Sequence, residues 1–232
     1  DEWGVLWVRA QNEDGPYMYK EGPFQKPGVT VADVEAYPWP DADAEHRVSG
    51  LAERARKLHE ETDYAIVLSV GHSSLAPAQR LRGFGELMED LVLEPERAAA
   101  ILENVTRVTV ASTNAILKEA GPYVDVVSFS DDLGLQDRAY FRNEMFQKQV
   151  KPYLARCVDA IHANTNAKVV MHSDGAIYHL IPDLIDIGVD VINPVQTTAW
   201  SMEAEVLKAE FGNKLGFWGA VDTQHALPFG TP

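Results

Sequence analysis

Several polar clusters each follow an apolar, β-rich run, and their residue types are those of metal and acid–base sites. Gly71-His72-Ser73-Ser74 follows residues 64–70, and Ser130-Asp131-Asp132 follows 124–129. His172-Ser173-Asp174-Gly175 closes the run 168–172, Asn193-Pro194-Val195-Gln196 closes 189–193, and 220–225, with Asp222, follows 215–219. His172, ending an apolar run, can act as a metal ligand, an acid–base group or a hydrogen-bond donor. Asp174 stands two residues on, in an Asp-Gly turn. Hard oxygen and nitrogen ligands suit zinc, so His172 and Asp174 form a candidate metal pair. Either Asp174 or Ser173 can instead cap the helix expected at 177–187. Asp131 and Asp132 are adjacent carboxylates: one can face a cavity while the other caps a helix or binds Arg138, and two like charges held close raise one pKa and create an acid. The candidate catalytic set is Asp131, His172 and Asp174. His72, Asp132, Asn193, Gln196 and Asp222 are candidate substrate-binding groups. His46, His59, His162 and His179 fall on helices or linkers and read as structural or exposed. Cys157, inside a helical stretch, reads as a small buried apolar residue. No Ser-His-Asp order, nucleophile elbow or CxxC pair stands out.

These clusters can meet only if the runs before them lie side by side and point the same way. The pattern from residue 47 onward supplies this. Continuous apolar runs at 64–70, 124–129, 168–172, 189–193 and 215–219 have the composition of strands buried on both faces. Helical patterning separates them at 47–61, 78–93, 95–120, 143–164, 177–187 and 201–211. Repeated strand–helix units predict a parallel sheet with right-handed crossovers. No G-x-G-x-x-G or P-loop sequence follows the first of these strands, as an open nucleotide-binding sheet would normally carry. The expectation is therefore an α/β fold of the TIM (β/α)8 barrel type, incomplete at both chain ends, with every cluster on the C-terminal face where such barrels place their sites. Residues 1–46 read as a separate N-terminal section. It holds a β-hairpin from 3–8 and 16–20 around Asn12-Glu13-Asp14-Gly15, then a Pro-rich loop with a short helix near 30–36. Residues 47–232 are the barrel portion.

Composition narrows the function classes. Of 232 residues, 35 are acidic and 20 basic, for a formal charge of −15. A field of that sign repels phosphate and argues against nucleic acid or anionic membrane as partner. No apolar run approaches the roughly 20 residues needed to span a bilayer. The single cysteine cannot form an internal disulfide, and a cytoplasmic setting is the expectation.

The stretch Ala78-Gln79-Arg80-Leu81-Arg82-Gly83-Phe84, running into Leu91-Val92-Leu93-Glu94-Pro95-Glu96, resembles the uroporphyrinogen decarboxylase superfamily. So do His172-Ser173-Asp174-Gly175 with 180–185 and Gly188-Val189-Asp190, Asn193-Pro194-Val195-Gln196, and Gly219-Ala220-Val221-Asp222-Thr223-Gln224 with 227–232. The resemblance covers roughly 60–232 and implies a TIM barrel. It implies one of two activities: cofactor-free decarboxylation of a tetrapyrrole, or methyl transfer with a corrinoid (cobalamin) protein and a zinc-activated acceptor. It leans to methyl transfer. The paired arginines of the decarboxylases have no counterpart in the N-terminal section, where only Arg9 occurs. Ser130-Asp131-Asp132 stands where they carry an Asp-Ser-Trp-like segment. The methyltransferases' zinc-binding His-x-Cys pair corresponds to His172-x-Asp174, with a carboxylate in place of the thiolate. The resemblance thus implies Zn2+ on His172 and Asp174, a small-molecule or tetrapyrrole substrate, a corrinoid protein partner and room for a homodimer. In the decarboxylase alternative no cofactor is needed and Asp131 would contact pyrrole N–H groups. A non-catalytic ligand-binding barrel is the second alternative.

Overall fold

The computed structural model describes residues 1–9 and 17–231. Leu6–Arg9 (β1) pairs antiparallel with Tyr17–Glu21 (β2), as the hairpin reading requires; the turn signal at 12–15 lies outside the described residues. Val31–Glu35 (α1) starts in a capping box, in which the Thr30 hydroxyl and the Asp33 carboxylate each accept from the other's backbone N–H. Then follow Leu51–Glu61 (α2), Val67–His72 (β3), Leu75–Arg82 (α3), Phe84–Leu93 (α4) and Pro95–Ala120 (α5). After Val126–Ser130 (β4) come Asn143–Gln149 (α6), Lys151–His162 (α7), Lys168–His172 (β5) and Ile181–Asp186 (α8), the last preceded by a 3-10 turn at Tyr178–Leu180. Val191–Asn193 (β6), Ala204–Phe211 (α9), Gly216–Phe217 (β7) and Ala226–Phe229 (α10) complete the order.

Several boundaries differ from the hydropathy reading, each for a local reason. The first parallel strand is not 64–70 but Val67–His72. Its polar end is drawn into the sheet by pairing with β4, while Tyr64 is left in solvent. The helix expected at 78–93 begins earlier and is two helices. Gly83 takes φ +94°, outside the helical region, and separates them. The helix expected at 143–164 breaks at Val150, two residues before Pro152. Pro152 has no N–H to donate to the preceding turn, so it sits in the first turn of α7, where none is needed.

Strands β3 to β7 form one parallel sheet in the order β3-β4-β5-β6-β7. A doubly wound sheet reverses its strand order at a switch point; this one runs in sequence order, so right-handed crossovers carry every helix to the same side. That is barrel-type winding. The described residues supply five strands and do not close them into a ring. In β4 and β6, Val127, Phe129 and Ile192 are buried and alternate with half-buried neighbours, while in β5 Val169, Val170 and Met171 are buried in succession, as in a strand covered on both faces. The long α5 buries Ala98, Ile101, Leu102, Val105 and Val108 at helical spacing and packs chiefly on α7. Cys157 lies in that core; burial pushes its thiol up to about 12, as expected of a packing residue. At the N-terminal ends of the strands, carboxylates serve the sheet itself: Asp125 accepts from Ile66 N (2.8 Å) and Asp190 from Val169 N (2.9 Å). Among the described residues no helix is long and apolar enough to cross a membrane.

Candidate metal centre

Register brings the polar strand ends into a row. His72 lies opposite Ser130, Ser130 opposite His172, and His172 opposite Asn193. In a parallel sheet, opposed residues share a face. His72 joins the row only because β3 slips by one residue between Ser69 and His72, where Gly71 takes φ +86°.

His172 is the hub. Its Nδ1 lies 2.8 Å from Asn193 Oδ1, and Asn193 Nδ2 donates to Trp218 O at 3.0 Å. The carbonyl of Trp218 can only accept, so it orients the amide, and Asn193 Oδ1 can only accept from His172. Nδ1 therefore carries a proton, and Nε2 is the ring nitrogen left to take a metal ion or a second proton. That nitrogen faces acids: Nε2 is 3.8 Å from Asp174 Oδ2 and 4.0 Å from Asp132 Oδ1. Ligand atoms of Asp132, His172 and Asp174 all lie within 4.8 Å of one another. A lone pair and two carboxylates converging on one point repel unless a cation or proton sits among them. Atoms bound to one tetrahedral ion at about 2.0–2.2 Å stand about 3.4 Å apart, so separations of up to 4.8 Å must shorten by up to about 1.4 Å for the set to close on an ion. The donor set fits a hard or borderline divalent ion, with a second-sphere amide orienting the histidine.

The turn carrying Asp174 is fastened on both sides. Asp174 N donates to Asp132 Oδ1 (3.0 Å) and Gly175 N to Gln196 Oε1 (2.9 Å). Gly175 takes φ +88°, and a Cβ there would fall on the backbone of Gly134. Gln196 continues through Gln136, which also receives a bond from Gln224. Burial, and then the neighbouring Asp132, push the Asp174 carboxyl above the ordinary aspartate range, against the pull of His172. Neither Asp174 nor Ser173 caps the next helix: Ser173 Oγ accepts from Leu133 N (3.0 Å).

The other candidates stand apart from this cluster. Asp131 is buried, and its carboxylate accepts from the Ser73 hydroxyl, Leu75 N (2.8 Å) and Ala76 N (2.7 Å), at the start of α3. Burial raises this carboxyl in spite of those donors. Of the two adjacent aspartates, Asp131 holds a helix and Asp132 faces the histidine, while Arg138 pairs with Asp137. His72 accepts from Arg80 Nη2 at 2.9 Å, with Nδ1 3.2 Å from Ser130 O; burial and then Arg80 lower its pKa, so the ring is neutral at pH 7. Asp222 accepts from Gln224 N (2.8 Å) and His225 N (3.0 Å) and lies 3.2 Å from His225 Nδ1, closing a turn of its own.

Residue types and spacing did not single out Arg80, Gln136, Tyr140 or Trp200. Tyr140 is half-buried. Its hydroxyl pKa is raised by burial and then by Asp132 and Asp174. It lies in the long β4–α6 connection, which carries no periodic signal; an aromatic in a long connection was the one hint available.

The chain matches the model of the uroporphyrinogen decarboxylase (URO-D) family over residues 16–232. No curated protein matches it. A solved methyltransferase from Methanosarcina mazei superimposes with TM-score 0.66 at 18% identity, over 93% of this chain and 59% of that one. At that identity the likeness is one of fold, and the chain spans less than two thirds of that structure's length. The family match extends over nearly all of the sequence and includes every strand-end cluster described above, and on this ground the chain belongs to the uroporphyrinogen decarboxylase family.

Proposed function

We propose that this protein is a metal-assisted methyltransferase or demethylase of the uroporphyrinogen decarboxylase family. It would form part of a (β/α)8 barrel and work in the cytoplasm with a corrinoid protein. The observation that carries the reading is the convergence of Asp132, His172 and Asp174, with Nδ1 of His172 held by Asn193 and Nε2 directed at both carboxylates. These three residues would hold Zn2+, which when bound acts as a Lewis acid on a donor or acceptor atom. Asn193 keeps the imidazole in the ligating tautomer. Gln196, through Gly175, fixes the turn that presents Asp174. Asp131 acts one step removed, as the anchor of α3, and His72 and Asp222 line the same end of the sheet. The fold neighbour is itself a methyltransferase, which accords with this reading. The decarboxylase alternative asks Asp131 to meet a substrate N–H, and its oxygens are already engaged by Ser73, Leu75 and Ala76.

The test is elemental analysis of protein purified without a metal-binding tag. About one zinc per chain is expected, falling at least tenfold in His172→Ala and Asp174→Ala while circular dichroism is unchanged. Zinc-free protein that also fails to take up added zinc would overturn the reading and return attention to decarboxylation.

A further inference from the structure

Beside the metal centre lies a cleft of about 640 Å3 walled by Tyr140, Phe141, His179 and Trp200, with Arg138 and Arg142 at its rim. We propose that this cleft binds the body of the substrate, and that the substrate is a planar aromatic carrying one anionic oxygen group, a carboxylate or a phosphate. The inference rests on the reading of Asp132, His172 and Asp174 as the reaction centre, and it adds what that centre acts upon.

The walls are aromatic and held in place. Trp200 is 57% exposed, yet its backbone N–H donates to Gln136 O (3.0 Å) and its ring lies tilted against His179 at 5.6 Å. An oriented indole left open to water offers a stacking face. The rim is cationic in a chain of net charge −15. Arg142 has no acidic partner among the described residues, and Arg138 meets only the exposed Asp137, a pairing of little strength in water. Guanidinium groups take a carboxylate or phosphate by paired hydrogen bonds, and they stack on aromatic rings. The three features together select for a flat body with an anionic end.

The cleft and the metal centre share a wall. The segment 133–142 leaves directly from Asp132 and doubles back, with Tyr140 N donating to Leu133 O (2.8 Å). It is tied to the Asp174 turn by Ala176 N donating to Leu135 O (2.7 Å). His179 follows in the short 3-10 turn after Asp174. Tyr140 lines the cleft and belongs to the segment that starts at Asp132. Among the described residues nothing hydrogen-bonds its hydroxyl, so it is available to a ligand in the cleft.

Isothermal titration of the full chain with 2-naphthoate, 2-naphthyl phosphate and neutral 2-naphthamide tests this. One of the two anions is expected to bind with Kd below about 1 mM and at least tenfold more tightly than the amide; whichever anion binds better names the anionic group. Arg142→Ala should weaken binding about tenfold and Arg142→Lys less. The ligand should quench tryptophan emission in the wild type and leave Trp200→Phe unquenched. Equal binding of the amide, no saturable binding of either anion, indifference to both cleft variants, or preference for uroporphyrin over both single-group anions would overturn the proposal. His172→Ala separates the two readings. Zinc lost with anion binding kept leaves both standing. A wild type that binds the anion but never zinc sinks the metal reading alone, and one that binds zinc but no anion sinks this inference alone.

Discussion

At the scale of single residues, one amide decides the character of the site. Asn193 occupies Nδ1 as an acceptor, and Trp218 O holds Asn193 in that orientation, so Nε2 is the nitrogen turned to the two aspartates. What remains is Nε2 facing two carboxylates, an arrangement suited to a cation or a proton. The same crowding sets a pH dependence. The Asp174 carboxyl is raised by burial and then by Asp132, so the folded protein takes up this proton more readily than the unfolded chain does. Ionising it therefore costs stability as pH rises through its folded pKa, and the cost is absent where it is protonated in both states. Asp174→Asn is accordingly expected to raise the Tm of chelator-treated protein at pH 7, with the gain shrinking as pH is lowered toward about 4. Thermal unfolding of the two proteins across that range checks it. A gain independent of pH would mean that repulsion from Asp132 is not the cause.

At the scale of elements, adjacent carboxylates have been assigned different tasks by strand geometry. Asp131 turns from the end of β4 to the start of α3, where it engages the Ser73 hydroxyl and two backbone N–H groups. Asp132, one residue later, faces His172. Asp131→Ala leaves buried donors without an acceptor and is expected to cost about 2–4 kcal/mol, read by urea unfolding. Retention of full stability would show that α3 does not depend on this strap. The sequence announced both aspartates and could not say which would do what, because the choice follows from the path of α3. The strand-end clusters were legible because apolar runs and polar ends alternate along the chain. The break at Gly83 and the one-residue slip at Gly71 were not, since hydropathy is silent on backbone angle.

At the scale of the whole molecule, the charge of −15 is spread over a surface that also gathers Asp132 and Asp174 at one end. Self-repulsion of that size opposes compactness and is screened by salt. Tm is expected to rise by a few degrees between about 10 and 200 mM NaCl; a fall would mean that surface ion pairs outweigh the net repulsion. The amino-acid sequence by itself determined that strands and helices alternate, that the strands lie parallel, and that His172, Asp174, Asn193 and the paired aspartates end up at one end of the sheet. Periodicity and polarity are local properties, and parallel winding then leaves one face for every strand end. The tertiary structure alone decided that Asp132 and not Asp131 joins His172, that Asn193 fixes the imidazole proton, and that Tyr140, Arg142 and Trp200 wall a cleft beside them. Those outcomes depend on distances of 2.7–4.0 Å between residues 21–60 positions apart in the chain, set by register and loop path, and no periodicity along the sequence encodes them.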